Sequence, residues 1–283
     1  MDALVIFVRD RVPLRAYLLL SFFVSLAPYF LLDLPVSYPL ALLSFVGVFL
    51  IMLQMRLLDD IQDVQVDRVA HPERPFASGE VSVHDGERLA GILQLLLLIF
   101  GTLTLFLVSY KAFFFYITAA VYIWNNYKWF FFEEWMKEHP VLSFCLGELA
   151  FFPVLFFVFS VVDAERTFGR EALGYSFLLF FASMVYNVVR KLDPKAHPAE
   201  QNFVHLMGYK RVFVGLMPFM ILSLFLAESL GFAFILWPAE LTSMVGLIAV
   251  LFSSSRWGFA SALALLSLFI HAAAPLMAYT FPF

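Results

Sequence analysis

Arg56-Leu57-Leu58-Asp59-Asp60-Ile61-Gln62-Asp63-Val64-Gln65-Val66-Asp67-Arg68 places four aspartates at the end of a long apolar run, in a chain that otherwise avoids charge. An α-helix turns about 100° per residue, so Asp60, Asp63 and Asp67 fall within about 60° of one another, with Arg56 in the same arc. Such a carboxylate stripe repels itself unless a cation neutralises it. The pattern reads as a site for a hard divalent metal, most simply Mg²⁺ shared with a phosphate-bearing ligand. Mg²⁺ prefers a few carboxylates plus waters and phosphate oxygens to an all-protein cage. The competing reading, a solvated helix end with acids facing water, must account for four acids on two turns at a membrane boundary.

That boundary follows from the rest of the chain. Its 283 residues are 62% hydrophobic and 14% charged, with 36 phenylalanines and a mean hydropathy of +0.87. Soluble domains carry about 25% charged residues. The composition therefore excludes a soluble globular protein and points to a polytopic membrane protein. No basic stretch with interleaved aromatics suggests nucleic acid, and the single cysteine, Cys145, cannot form an intrachain disulfide. Met1 to Arg15 carries mixed charge and runs into an apolar segment without a small-residue cleavage site, which reads as a retained first span.

Nine apolar segments are expected to be helical spans, at about residues 16–32, 38–58, 89–109, 112–132, 141–162, 173–189, 212–227, 231–252 and 258–281. Glu228-Ser229-Leu230-Gly231 is a weak break, and Pro238 interrupts the apolar run beyond it. With the N-terminus in the cytoplasm, fourteen Lys and Arg residues fall on the cytoplasmic side and only Lys111, Arg166 and Arg170 opposite. An odd number of spans then puts Thr280-Phe281-Pro282-Phe283 outside. The two longest polar connections, Asp59–Arg88 and Arg190–Arg211, are both cytoplasmic.

After the aspartates, residues 68–82 are rich in turn formers and basic groups; Pro72, Pro75 and Gly79 imply a bent, non-helical path. Arg68 and Arg74 can neutralise diphosphate oxygens that a metal does not reach. Asp59-Asp60-x-x-Asp63-x-x-x-Asp67-Arg68, then His71-Pro72-Glu73-Arg74-Pro75, then Ser78-Gly79, resembles the first aspartate-rich motif of the UbiA superfamily of intramembrane prenyltransferases. The count of nine spans matches as well, so the resemblance covers essentially the whole chain, read as one domain over residues 1–283. It implies an all-α bundle around a central, lipid-accessible chamber. It also implies that Asp60, Asp63 and Asp67 are ligands of Mg²⁺ on a prenyl diphosphate. Asp59 stands where the family usually has Asn and is kept as a further ligand.

The family's second motif, Asp-x-x-x-Asp, does not occur. In its place stands Tyr186-Asn187-Val188-Val189-Arg190-Lys191-Leu192-Asp193-Pro194-Lys195, where Pro194 ends the helix. Asn187, Arg190 and Lys191 share one helical face. They can hold diphosphate oxygens directly, or Arg190 and Lys191 are only topology-setting charge. Tyr122, Asn125, Asn126, Tyr127 and Lys128 form a third group that lines a head-group pocket or merely anchors the helix at the interface. Glu148, about ten apolar residues from either end of its span, costs on the order of 2.5–3.5 kcal/mol at that depth and should face the bundle interior. It is a candidate base, carbocation stabiliser or acceptor anchor, or a neutral structural acid. His139 and His205 read as loop residues and His271 as a packing or hydrogen-bonding histidine.

The reading implied by the resemblance is a Mg²⁺-dependent transfer of a prenyl group to an aromatic or other lipophilic acceptor. Two alternatives stay open: a membrane terpene cyclase of the same superfamily, and a non-catalytic isoprenoid-binding protein. Membrane lipid is the expected surrounding, and nucleic acid is not an expected partner.

Overall fold

The computed structural model describes residues 2–200 and 203–280, and among these it is helical, with no strand. Fourteen α-helices follow in order: α1 (Asp2–Arg11), α2 (Leu14–Leu31), α3 (Tyr38–Gln62), α4 (Val64–Ala70), α5 (Pro75–Ser78), α6 (Val83–Leu107), α7 (Tyr110–Tyr127), α8 (Glu133–Glu138), α9 (Pro140–Glu148), α10 (Phe151–Val162), α11 (Arg170–Arg190), α12 (Phe203–Ser229), α13 (Ala233–Phe252) and α14 (Trp257–Thr280). Among the described residues each of the nine apolar segments holds a helix, although the one expected over 112–132 stops at Tyr127 and continues as a 3-10 turn over Trp129–Phe131. Eight of the resulting spans are long and apolar enough to cross a membrane, with α9 and α10 taken together. The ninth, α7, is an 18-residue helix whose Lys111, Asn125, Asn126 and tyrosines make it less apolar. The protein is an integral, multi-pass membrane protein.

Several boundaries depart from the sequence expectation, each for a local reason. α6 starts at Val83, six residues before the apolar run, because the Ser82 hydroxyl accepts from the Asp85 N–H at 3.0 Å and caps the helix. Residues 68–82 are not a non-helical loop. Helix α4 continues past the aspartates, and Pro75 opens the short α5, which Gly79 closes at φ +84° in the left-handed region. α12 begins at Phe203, before the apolar run expected from residue 212, and takes in the last part of the expected polar connection, with a kink at Gly208 (φ +75°). His205 is therefore a helix residue. α11 stops at Arg190, short of Pro194. Pro238 lies inside α13 without ending it, whereas the break at Gly231 is real (φ +78°). The fifth span divides into α9 and α10 just after Glu148. The expected outer position of residues 281–283 lies outside the described residues.

The chain forms two compact units, one of residues 1–28 and 35–168, the other of residues 29–34 and 169–283. In lipid, helices associate through close van der Waals packing and polar contacts, because the tails are as apolar as the side chains. In the first unit α3 packs on α6, α7 and α10. The Tyr116 ring sits against Phe100 and Phe157 at centroid distances of 4.9 and 4.8 Å, and its hydroxyl reaches the Gly47 carbonyl at 3.4 Å. A Cβ on Gly47 would come within 2.8 Å of the Phe157 ring, so only glycine lets the helices approach this closely.

In the second unit α11 packs on α12 and α14, and α13 on α12 and α14. A buried polar group ties three of these helices. His271 Nδ1 lies 2.7 Å from the Ser267 carbonyl, to which it can only donate. His271 Nε2 lies 3.0 Å from Glu240 Oε1 and 3.1 Å from Ser223 Oγ. Nε2 thus meets a carboxyl from α13 and a hydroxyl from α12, so the buried ring joins three helices. The histidine is a hydrogen-bonding one, as expected, but its acid partner on α13 was not foreseen.

Candidate functional site

The aspartates end α3 and continue through α4. The helical ladder runs across the joint, with Asp63 N–H donating to Asp59 O at 2.9 Å and Asp67 N–H to Asp63 O at 2.8 Å. The expected single stripe divides in two. Asp60 and Asp67 are each only 4% exposed, whereas Asp59 and Asp63 stand at the surface. Guanidinium groups draw the buried pair inward. Arg11, the last residue of α1, donates Nε and Nη2 to the two oxygens of Asp60 at 2.9 and 2.7 Å. Arg56, one turn earlier on α3, reaches Asp60 Oδ1 at 2.8 Å, and its Nε donates to the Arg11 carbonyl at 3.1 Å. Arg74, from the turn before α5, pairs with Asp67. Neutralisation, which the sequence suggests must come from a metal, thus comes in part from three arginines.

The electrostatics follow the geometry. Burial works against the charge on Arg11, but the hydrogen bond to Asp60 and the fields of Asp60, Asp67 and Asp63 outweigh it and hold its pKa above the ordinary value. Burial lifts the Asp67 carboxyl above the usual carboxylate range; Arg74 and Arg11 oppose this only in part.

Among the described residues no three His, Cys, Asp or Glu side chains come together as a ready-made metal cage. The donor set still fits Mg²⁺ in kind: Asp59 and Asp63 offer surface carboxylates one turn apart, and Asp60 and Asp67 stand beside them. A hard cation here would compete with guanidinium groups for the buried pair. Arg68 is exposed on α4, next in the chain to Asp67.

The third group joins this cluster within the same unit. Gln62 Nε2 donates to the Tyr127 carbonyl at 3.3 Å, which ties the end of α3 to the end of α7. Tyr122 and Asn126, one turn apart on α7, both face the last turn of α9. The Tyr122 hydroxyl donates to the Leu146 carbonyl at 2.6 Å, and the Asn126 amide lies 3.5 Å from where a Cβ on Gly147 would be. Glu148, half-buried, ends that turn. It is therefore not an acid in an unbroken apolar helix, and an interrupted span accommodates it where freed backbone groups find side-chain partners. Asn125 is half-buried beside Asn126, and Lys128 is exposed with its ammonium 4.3 Å above the Tyr127 ring.

The Asn187 group belongs to the second unit. Asn187 Nδ2 donates to Ser183 Oγ at 3.1 Å. Arg190 and Lys191 are exposed at the end of α11, where Trp257 Nε1 donates to the Val189 carbonyl at 2.9 Å. Asp193 accepts from the Lys195 N–H at 2.8 Å and shapes the turn beyond α11.

Arg11 is the residue that the sequence does not reveal. Beside Arg9 and Arg15 it reads as one more topology-setting charge, and its partner lies 49 positions away. Only the docking of α1 brings it in: Phe7 is fully buried and packs on Phe76 of α5 at 6.3 Å.

The model of the UbiA prenyltransferase family matches residues 16–280. Three solved structures share the fold. A UbiA homologue from Aeropyrum pernix K1 is 14% identical, with 94% of this chain and 98% of that one covered at a TM-score of 0.64. A structure of digeranylgeranylglyceryl phosphate synthase is 15% identical, with 96% and 99% covered at 0.59. A UbiA homologue from Archaeoglobus fulgidus, bound to DMAPP and Mg²⁺, is 14% identical, with 92% and 97% covered at 0.56. No curated protein sequence matches the chain.

Proposed function

The chain belongs to the UbiA prenyltransferase family, and from that membership we propose that it is a Mg²⁺-dependent intramembrane prenyltransferase. It ionises an isoprenyl diphosphate and transfers the prenyl group to an aromatic or other lipophilic acceptor. The observation that carries this reading is the paired cluster at the α3–α4 joint: buried Asp60 held by Arg11 and Arg56, buried Asp67 held by Arg74, and Asp59 and Asp63 exposed on the same two turns at the end of a membrane span. A lone acidic face needs no arginines from three separate elements. A site that handles both a metal and a polyanion needs both signs of charge.

Asp59, Asp60, Asp63 and Asp67 would hold Mg²⁺, which when bound supplies the positive charge that makes diphosphate a better leaving group. Arg68 and Arg74, with Arg56, bind phosphate oxygens and stabilise the charge that grows on them as the allylic C–O bond breaks. Asn187, Arg190 and Lys191, in the second unit, stand in the sequence where a second carboxylate pair is usual and can bind diphosphate oxygens directly. Asn125, Asn126 and Lys128 line the head-group side, and Glu148 receives the acceptor or its proton. The surrounding apolar helices exclude the water that would quench the cation. The cluster and the N-terminus face the cytoplasm.

Labelled prenyl diphosphate tests the proposal. Purified protein with Mg²⁺ and a lipophilic acceptor extract should release diphosphate and form a prenylated lipid. A hydrocarbon or terpene alcohol formed without acceptor would assign the cyclase reaction instead, and binding without turnover would remove the catalytic reading.

A further inference from the structure

Arg11 holds both oxygens of the acid best placed to ligate metal from inside the cluster. We propose that it couples the two ligands of the site. Arg11 gives up Asp60 to the divalent cation and takes up a diphosphate oxygen in exchange, so that neither ligand binds well without the other. The inference rests on the metal-and-diphosphate reading above and adds a residue and a thermodynamic rule to it.

The argument is one of charge and burial. Asp60 is 4% exposed, and its carboxylate is filled by a bidentate contact from Arg11 and a third contact from Arg56. A cation that ligates Asp60 must displace at least part of this set. The displaced Arg11 would then stand as an uncompensated, part-buried charge, which is costly. A diphosphate that arrives alone meets Arg11, Arg56 and Arg74 already occupied by carboxylates, and the repulsion of Asp59 and Asp63. When both arrive, the carboxylates go to the metal and the freed guanidinium goes to phosphate, for which its planar fork is suited. Arg11 can make this exchange because it ends α1, where Val12 and Pro13 separate it from the first span. Phe7 against Phe76, and Arg9 3.8 Å from Glu80, keep the helix seated while the side chain moves.

Coupling of this kind is reciprocal and is read as a ratio of affinities. The test is Mn²⁺ binding to the full-length protein in detergent, followed by the electron paramagnetic resonance of free Mn²⁺, with and without a prenyl thiolodiphosphate that resists ionisation. In the wild type the analogue should tighten Mn²⁺ binding by a factor within about 5–150-fold. In Arg11→Gln, Mn²⁺ alone should bind more tightly than to the wild type, and the coupling factor should fall below about twofold; Arg11→Lys, which keeps the charge but loses the fork, should lie between. Thermal melting reports whether each variant is folded. If Arg11→Gln misfolds, Arg11→Lys decides the matter by the same ratio. Coupling equal to the wild type in a folded variant overturns the role of Arg11 and leaves the metal reading standing. No Mn²⁺ binding to the wild type under either condition overturns the metal reading itself, and this inference with it.

Discussion

Asp67 and Arg74 show how one pair sets the chemistry of the site. Asp67 is buried, its carboxyl already lies above the ordinary range because of that burial, and Arg74 is the largest opposing influence. A folded-state pKa above the unfolded value means that ionised Asp67 destabilises the fold at higher pH. The penalty is absent below the unfolded value and grows as pH rises through the raised one. Arg74→Met removes the compensating charge and should lower stability at neutral pH by about 1–3 kcal/mol. Melting curves of the variant and wild type should converge as the pH falls towards the ordinary carboxylate range. A gap that stays constant would show that Arg74 contributes packing and not charge. The aspartates themselves were legible in the sequence, since residue type and helical spacing suffice to find them. Which two turn inward was not, because burial depends on Arg11 and Arg74, whose reach is set by α1 and by the turn before α5.

Helical elements were legible wherever apolar length decided them and illegible where a cap or a paired polar group did. Ser82 moves the start of α6 outward, and the division after Glu148 splits a span that hydropathy alone reads as continuous. The tie between α12, α13 and α14 belongs with these. Glu240 lies in an apolar run, and only packing shows that it meets His271. Interhelical polar contacts in membranes contribute about 0.6–2 kcal/mol each. Glu240→Ala leaves His271 Nε2 with Ser223 Oγ alone and removes the tie to α13, so it should lower the melting temperature in detergent, whereas Glu240→Gln, which keeps a hydrogen-bonding partner on α13, should retain more of it. Equal melting of the alanine variant and the wild type would show that the pair is not a structural tie.

At the scale of the whole molecule, membership of the family and the helical membrane fold were legible from the aspartate motif together with the count of apolar segments. Acceptor and prenyl length are not written in either, because they depend on the shape of an apolar surface built from many interchangeable side chains. The missing second aspartate pair makes the exposed end of α11 the informative place to probe. Arg190→Ala should weaken the binding of a prenyl diphosphate analogue without changing membrane insertion. Unchanged affinity would return Arg190 to a purely topological role.

In the proposed function, the α3–α4 carboxylates hold the metal that drives diphosphate departure. Asp63 is the cleanest probe, since it is exposed and its removal leaves the hydrogen-bonded pairs of Asp60 and Asp67 intact. The measurement is diphosphate release from labelled prenyl diphosphate by wild type and Asp63→Ala, each with Mg²⁺ and with chelator. The expected result is Mg²⁺-dependent release by the wild type and none by a folded, membrane-inserted Asp63→Ala. Wild-type turnover by that variant, or release that persists in chelator, would remove the metal from these carboxylates.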